Sequence, residues 1–125
     1  YKRQVFTSLK EILLNERPKL NMEIPDISVY DRILIGSPIW CGTLPNAVFS
    51  FLDKVNLNGK KAAIFTTSGA TEPQEIAVRI KKKYPAKWCR PFNANHATDE
   101  TIISWLKEQA ITIKFQSLFW KWIYK

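Results

Sequence analysis

A chain of 125 residues, 46% hydrophobic and 13% aromatic, is one domain with enough apolar side chain for a core, which excludes an intrinsically disordered protein. A formal net charge of +8 admits nucleic acid, anionic lipid or an acidic protein as partner, but no zinc spacing, RNP-like motif or helix-turn-helix pattern supports specific nucleic-acid recognition. No apolar run approaches the roughly 20 residues that span a bilayer, and Lys10, Glu11 and Glu16 interrupt the N-terminal segment against a signal peptide.

Residues 3–15 read as an amphipathic helix, with Val5, Leu9, Ile12 and Leu13 on one face. Pro18 and Pro25 bracket an irregular link. Ile33 to Ile35 is a compact apolar run that reads as a buried strand, with Gly36 ending it and Pro38 taking the chain out of the ladder. Trp40 then stands in a loop, where a core aromatic has no evident reason to be. Thr43 is placed to cap the next helix and Pro45 to fill its first turn. That helix is expected from Leu44 to Val55, burying Val48, Phe51, Leu52 and Val55.

Asn58-Gly59 marks a turn, and Ala62 to Phe65 a second strand, apolar on both faces as a central parallel strand is. Thr71 and Gln74 form a capping-box pattern for a helix reaching Lys83, with Ile76, Ala77 and Ile80 inside. Lys87 to Phe92 predicts a third strand, although Arg90 and Pro91 interrupt it. Asn93 to Ala97 is a loop. Thr98 caps a last helix, with Asp99 and Glu100 suited to its dipole and Ile102, Ile103 and Leu106 on its buried side. From Ile111 to Lys125, Phe115, Leu118, Phe119 and Trp122 keep helical spacing, though a strand from Ile111 to Phe115 also fits. Strand and helix alternate, so the pattern predicts an α/β domain with a parallel sheet.

The run from Tyr30 to Pro45, with its Gly36-Ser37-Pro38-Ile39-Trp40-Cys41-Gly42-Thr43 centre, resembles the third strand and following loop of a flavodoxin. The run from Asn58 through Thr66-Thr67-Ser68-Gly69 is similar to that family's fourth strand and loop, in matching order and spacing. The likeness extends from about Leu9 to Leu106. It implies a flavodoxin-like three-layer α/β sandwich over residues 1–110, with 111–125 as an aromatic and basic tail. Only about three strands of the usual five, in order 2-1-3-4-5, are visible. The chain therefore reads as N-terminally truncated, lacking the family's first strand and phosphate loop.

The resemblance also implies FMN as cofactor. Trp40 would offer an apolar plane to the ring, and Ser37, Pro38, Ile39, Cys41, Gly42 and Thr43 would bring backbone groups to it. Thr66, Thr67, Ser68 and Gly69 would form a second wall, where glycine permits close backbone approach. A rival reading makes Thr66 to Thr71 a phosphate loop. Losing roughly four hydrogen bonds to the phosphate would remove on the order of 6–12 kcal/mol, so the truncated chain is expected to hold FMN weakly or not at all. The implied function is FMN-dependent electron transfer, as carrier or oxidoreductase, with a partner protein. The alternative is a degenerate interaction module without flavin. Cys41 reads as a buried inert thiol, Cys89 as core and His96 as a loop residue. No C-x-x-C pair is present, which suits a reduced cytoplasmic setting. The open sheet edge is expected to be covered by the tail or by a second copy, which allows a homodimer through the edge or the tail, and the tail's lysines and tryptophans leave contact with a membrane surface as a competing use.

Overall fold

The computed structural model describes Lys10 and residues 13–109. Of the expected first helix only its end is described, where Leu14 N donates to Lys10 O at 2.9 Å. The remainder of that helix and the tail from Ile111 onward lie outside the described residues.

The elements are β1 (Arg32–Pro38), α1 (Asn46–Leu52), β2 (Lys61–Thr67), α2 (Pro73–Lys83), β3 (Lys87–Trp88), β4 (Phe92–Asn93) and α3 (Asp99–Glu108). All strand pairs are parallel. β2 is central, with β1 on one side and β3 followed by β4 on the other. The β1–β2 register runs without a break from Arg32↔Lys61 to Pro38↔Thr67.

Strand alternation divides the residues between two faces. On one face Ile35 and Ile64 are register partners and join Leu44, Leu52, Ile76 and Ile80 from the α1 and α2 side in the main core. Burying each such side chain stabilises by about 1.5–3 kcal/mol. On the other face Phe65 and Phe92 are register partners beneath Trp105 of α3. Helices thus cover both faces, which gives the three layers. Leu34 on this second face stays 44% exposed, so β1 is not the fully buried strand that its apolar run suggested.

Gly36 does not end β1; the ladder continues through Pro38. A glycine is needed there for a different reason, because the Phe65 ring lies against it on the second face. The third strand position is broken, as Arg90 and Pro91 forewarned. Ala62 pairs with Trp88, but Phe65 pairs with Phe92, so one extra residue enters between them. Such an insertion reverses which face the following side chains take. Trp88 consequently packs on the main core, while Phe92 stacks on Trp105 at 5.0 Å.

α1 is shorter than its apolar spacing suggested. After Leu52 the chain tightens, with Lys54 N donating to Phe51 O at 3.0 Å, and Asn58 N turns back to Asn56 Oδ1 at 2.9 Å. Such local side-chain bonds compete with helix. Leu52 is buried, while Val48, Phe51 and Val55 are half-buried. Asn46 and Ser50 are buried as well. Ser50 Oγ donates to Pro18 O at 2.8 Å, and Arg17 Nη1 donates to Asn46 Oδ1 at 3.1 Å. These bonds fasten the segment before β1 onto α1.

Helix caps also depart in part from expectation. Pro45, not Thr43, is the N-cap of α1, and Glu72 that of α2; neither makes a side-chain capping bond, so the Thr71–Gln74 box does not form. Pro73 opens α2 instead, its missing N–H costing nothing in the first turn. Thr98 does cap α3, in a reciprocal box with Thr101. The buried residue of α3 is Trp105, whereas Ile102 and Ile103 are 38% and 39% exposed. The indole fills the space over Phe65 and Phe92, and Trp105 Nε1 donates to Arg90 O at 2.8 Å.

Candidate functional site

Parallel strands finish at one edge, and here that edge gathers the loops with unusual residues. Beyond the paired ends Pro38 and Thr67, Ile39 N donates to Thr67 O at 2.8 Å. The loops after β1 and β2 therefore leave the sheet side by side. The loop after β4 joins them, with Ala94 N donating to Thr66 O at 2.8 Å.

The first loop is a tight hairpin. Trp40 N donates to Thr43 O at 2.8 Å and Thr43 N to Trp40 O at 3.0 Å, with only Cys41 and Gly42 between. Both central residues have positive φ, 50° and 74°, which marks a type I′ turn. The hairpin places Thr43 two residues before the N-cap position that Pro45 occupies, so Thr43 does not cap α1. Arg79 of α2 braces the turn, its Nη1 donating to Gly42 O at 3.1 Å. Trp40 is left 46% exposed, an indole presented at the rim.

The second loop is held from both sides. Ser68 Oγ donates to Thr71 O at 2.5 Å. Asn95 takes both backbone groups of Ser68: Ser68 N donates to its Oδ1 at 3.2 Å, and its Nδ2 donates to Ser68 O at 2.6 Å. The backbone N–H groups of Cys41, Gly42, Gly69 and Ala70 have no partner among the described residues. They are free donors around an exposed aromatic plane.

The expected site residues separate into two groups. Pro38, Trp40, Cys41, Gly42, Thr43, Thr67, Ser68 and Gly69 reach the rim as exposed or half-buried residues. Ser37, Ile39 and Thr66 are buried, with Ser37 and Thr66 as register partners on the main-core face. Ser37 Oγ donates to Pro38 O at 2.9 Å, and Thr66 Oγ1 is buried with no partner among the described residues. Cys41 is exposed at the hairpin tip, not buried, because a two-residue turn projects its centre away from the sheet. Cys89 is half-buried and not core, lying in the break between β3 and β4.

Arg79 and Asn95 were missed from sequence. Arg79 resembles any charged residue on a solvent face. Asn95 carried a faint signal in Asn93-Ala94-Asn95, the spacing of an Asx turn, and Asn95 N does donate to Asn93 Oδ1 at 2.9 Å. His96 is an exposed loop residue with φ of 56°.

Acidic side chains stand at the helix starts on this edge, opposite the Arg79 guanidinium at Gly42. Glu75 stands in the first turn of α2, and Asp99 and Glu100 in that of α3. The Glu100 carboxyl is held below its usual pKa by its own backbone N–H and by Thr98. With acids at both helix starts and Ser68 N–H engaged by Asn95, the stretch from Thr66 to Thr71 is poorly suited to a phosphate. No group of three or more metal-binding side chains occurs among the described residues. Nor is any helix among them long and apolar enough to cross a membrane. The grooves around Lys60 and Lys87 lie at the opposite end of the strands and include none of the candidate residues.

Known proteins with related sequences and structures agree with this layout. A candidate flavoprotein from Bacteroides eggerthii is 29% identical with a TM-score of 0.76, over 85% of this chain and 68% of that one. A second, from Bacteroides uniformis, is 28% identical with a TM-score of 0.74, over 81% and 66% of the respective chains. A flavoprotein in complex with FMN from Lactobacillus acidophilus is 22% identical with a TM-score of 0.57, over 81% and 66%, and bears on the fold alone. An uncharacterized protein of Methanocaldococcus jannaschii is 48% identical over 46 residues, which are 36% of this chain and 31% of that protein. The chain thus matches about a third of that relative's length. The family described as Flavodoxin matches residues 3–109, which include every described residue. With that span matched and the two loops side by side at one sheet edge, the chain belongs to the flavodoxin family.

Proposed function

We propose that this chain binds FMN at the carboxyl edge of its sheet and serves in electron transfer. The observation that carries the reading is the pairing of Pro38 with Thr67, extended by the Ile39–Thr67 hydrogen bond, which starts the two loops next to each other. An isoalloxazine ring is flat and largely apolar with polar atoms along one rim. The residues present fit it: Trp40 offers an exposed plane, and Cys41, Gly42, Gly69 and Ala70 offer backbone donors that have no partner among the described residues. Flavin, when bound, supplies one- or two-electron chemistry. The protein's own share is to hold the ring, orient it through those donors and keep one face from water with the indole. Arg79 and Asn95 fix the two loops beforehand, which lowers the ordering cost of binding. A redox partner would approach the same rim.

The test is titration of the purified chain with FMN, followed by absorbance and quenching of flavin fluorescence. Saturable binding that weakens in Trp40→Ala supports the reading. A colourless protein that takes up no added FMN supports the alternative of an interaction module.

A further inference from the structure

We infer that Asn95 is a positioning residue for the second loop, so that the loop after β4 governs the geometry of the site without touching the ring. The inference rests on the FMN reading for its functional consequence but not for its structural part.

A single primary amide is matched here to a single peptide unit's neighbours. Ser68 N–H needs an acceptor and finds Asn95 Oδ1; Ser68 C=O needs a donor and finds Asn95 Nδ2. The reciprocal pattern fixes the orientation of the amide, since a flip would set donor against donor and acceptor against acceptor. In effect Asn95 replaces the strand neighbour that β2 loses once β4 ends at Asn93. Asn95 is itself held in place. Its own N–H turns back to Asn93 Oδ1 at 2.9 Å, His96 takes a left-handed φ of 56°, and Ala97 N closes onto Ala94 O at 3.3 Å. Thr98 then begins α3, which Trp105 anchors against Phe65 and Phe92. The chain of contacts leads from the buried indole of α3 to the backbone of Ser68.

The consequence concerns which donors remain. With Ser68 N–H occupied and Ser68 Oγ closed onto Thr71 O, the N–H groups of Gly69, Ala70 and Thr71 are left without a partner among the described residues. The direction they point is set by the Ser68 peptide, and hence by Asn95. Both Asn95 bonds are exposed to water, so the amide adds modestly to stability while its effect on loop geometry is direct.

The experiment compares the full chain with Asn95→Ala and Asn95→Asp. Amide hydrogen exchange of the flavin-free protein reads the clasp itself. FMN titration and the midpoint potential of bound flavin read its effect on the site. The expected result is a Ser68 amide protected in the wild type and Asn95→Asp but exchanging freely in Asn95→Ala. FMN binding in Asn95→Ala is expected to be about tenfold weaker, the factor that follows from loss of one net hydrogen bond's worth of order. Asn95→Asp, which keeps the acceptor and loses the donor, falls between, and the potential shifts in both variants. Unchanged Ser68 protection in Asn95→Ala, or equal FMN affinity and potential in all three proteins, overturns the inference. A wild type that takes up no FMN yet shows the expected exchange pattern sinks the flavin reading and upholds the clasp.

Discussion

The Phe65 ring lies so close over Gly36 that a Cβ there would collide with Phe65 Cζ. These two residues are register partners on neighbouring parallel strands, so the contact is built into the sheet. Gly36→Ala is expected to displace the ring from β1, disturb its edge contact with Trp105 and cost about 1–2 kcal/mol, as overpacking does. Urea denaturation measures the loss. In a Phe65→Leu background the same substitution should cost far less; additive costs would remove the explanation.

Stability should fall on both flanks of neutral pH through one cluster. Asp53 accepts from the Tyr84 hydroxyl and pairs with Lys83 at 3.1 Å and Arg17 at 3.2 Å. The Tyr84 hydrogen bond, helped by Lys83 and Arg17, lowers the Asp53 pKa below 3.8. Its contribution is therefore complete above that value and lost as pH falls through the lowered one. Burial, with the Asp53 bond next, raises the Tyr84 pKa above 10.0; that contribution is complete below 10.0 and lost as pH rises through the raised value. Lys83, raised above 10.5 chiefly by Tyr84, adds to the alkaline loss. Tyr84→Phe should flatten both flanks and cost about 1 kcal/mol at pH 7, given how much of the cluster is exposed. Thermal melts from pH 2 to about 11 check the shape.

Thr66→Val should be neutral or stabilising, by up to about 1 kcal/mol, because the buried hydroxyl has no partner among the described residues to lose. A marked loss in chemical denaturation would mean that the hydroxyl is satisfied in solution. The substitution also separates a core role for Thr66 from a ligand role, since FMN affinity should stay unchanged.

Trp105→Ala is expected to cost about 3–5 kcal/mol, the range for large-to-small changes under a buried aromatic. Trp105 is 3% exposed and meets both Phe65 and Phe92. Trp40→Ala, at a 46% exposed rim position, should move stability by no more than about 0.5 kcal/mol while weakening FMN binding. Equal effects of the two on stability would place Trp40 in the core.

The sequence signals that succeeded were those set by periodicity and by backbone chemistry. Alternating strand and helix patterns revealed the parallel sheet, and Gly36 through Gly42 marked where the first crossover begins. The failures have local causes. Thr43 looked like a cap because its hairpin bond to Trp40 leaves no trace in composition. Ile102 and Ile103 looked like core because spacing alone does not reveal that one larger neighbour, Trp105, takes the buried position. Asn95 was invisible as a Ser68 partner because they are 27 residues apart and meet only once β2 and β4 are paired.

The single residue inserted between Trp88 and Phe92 works as a spatial reading-frame shift. Deleting one residue from Cys89 to Pro91 would restore plain alternation and swing Phe92 toward the layer that holds Ile64. Trp105 would then lose its stacking partner, and the third helix its seat.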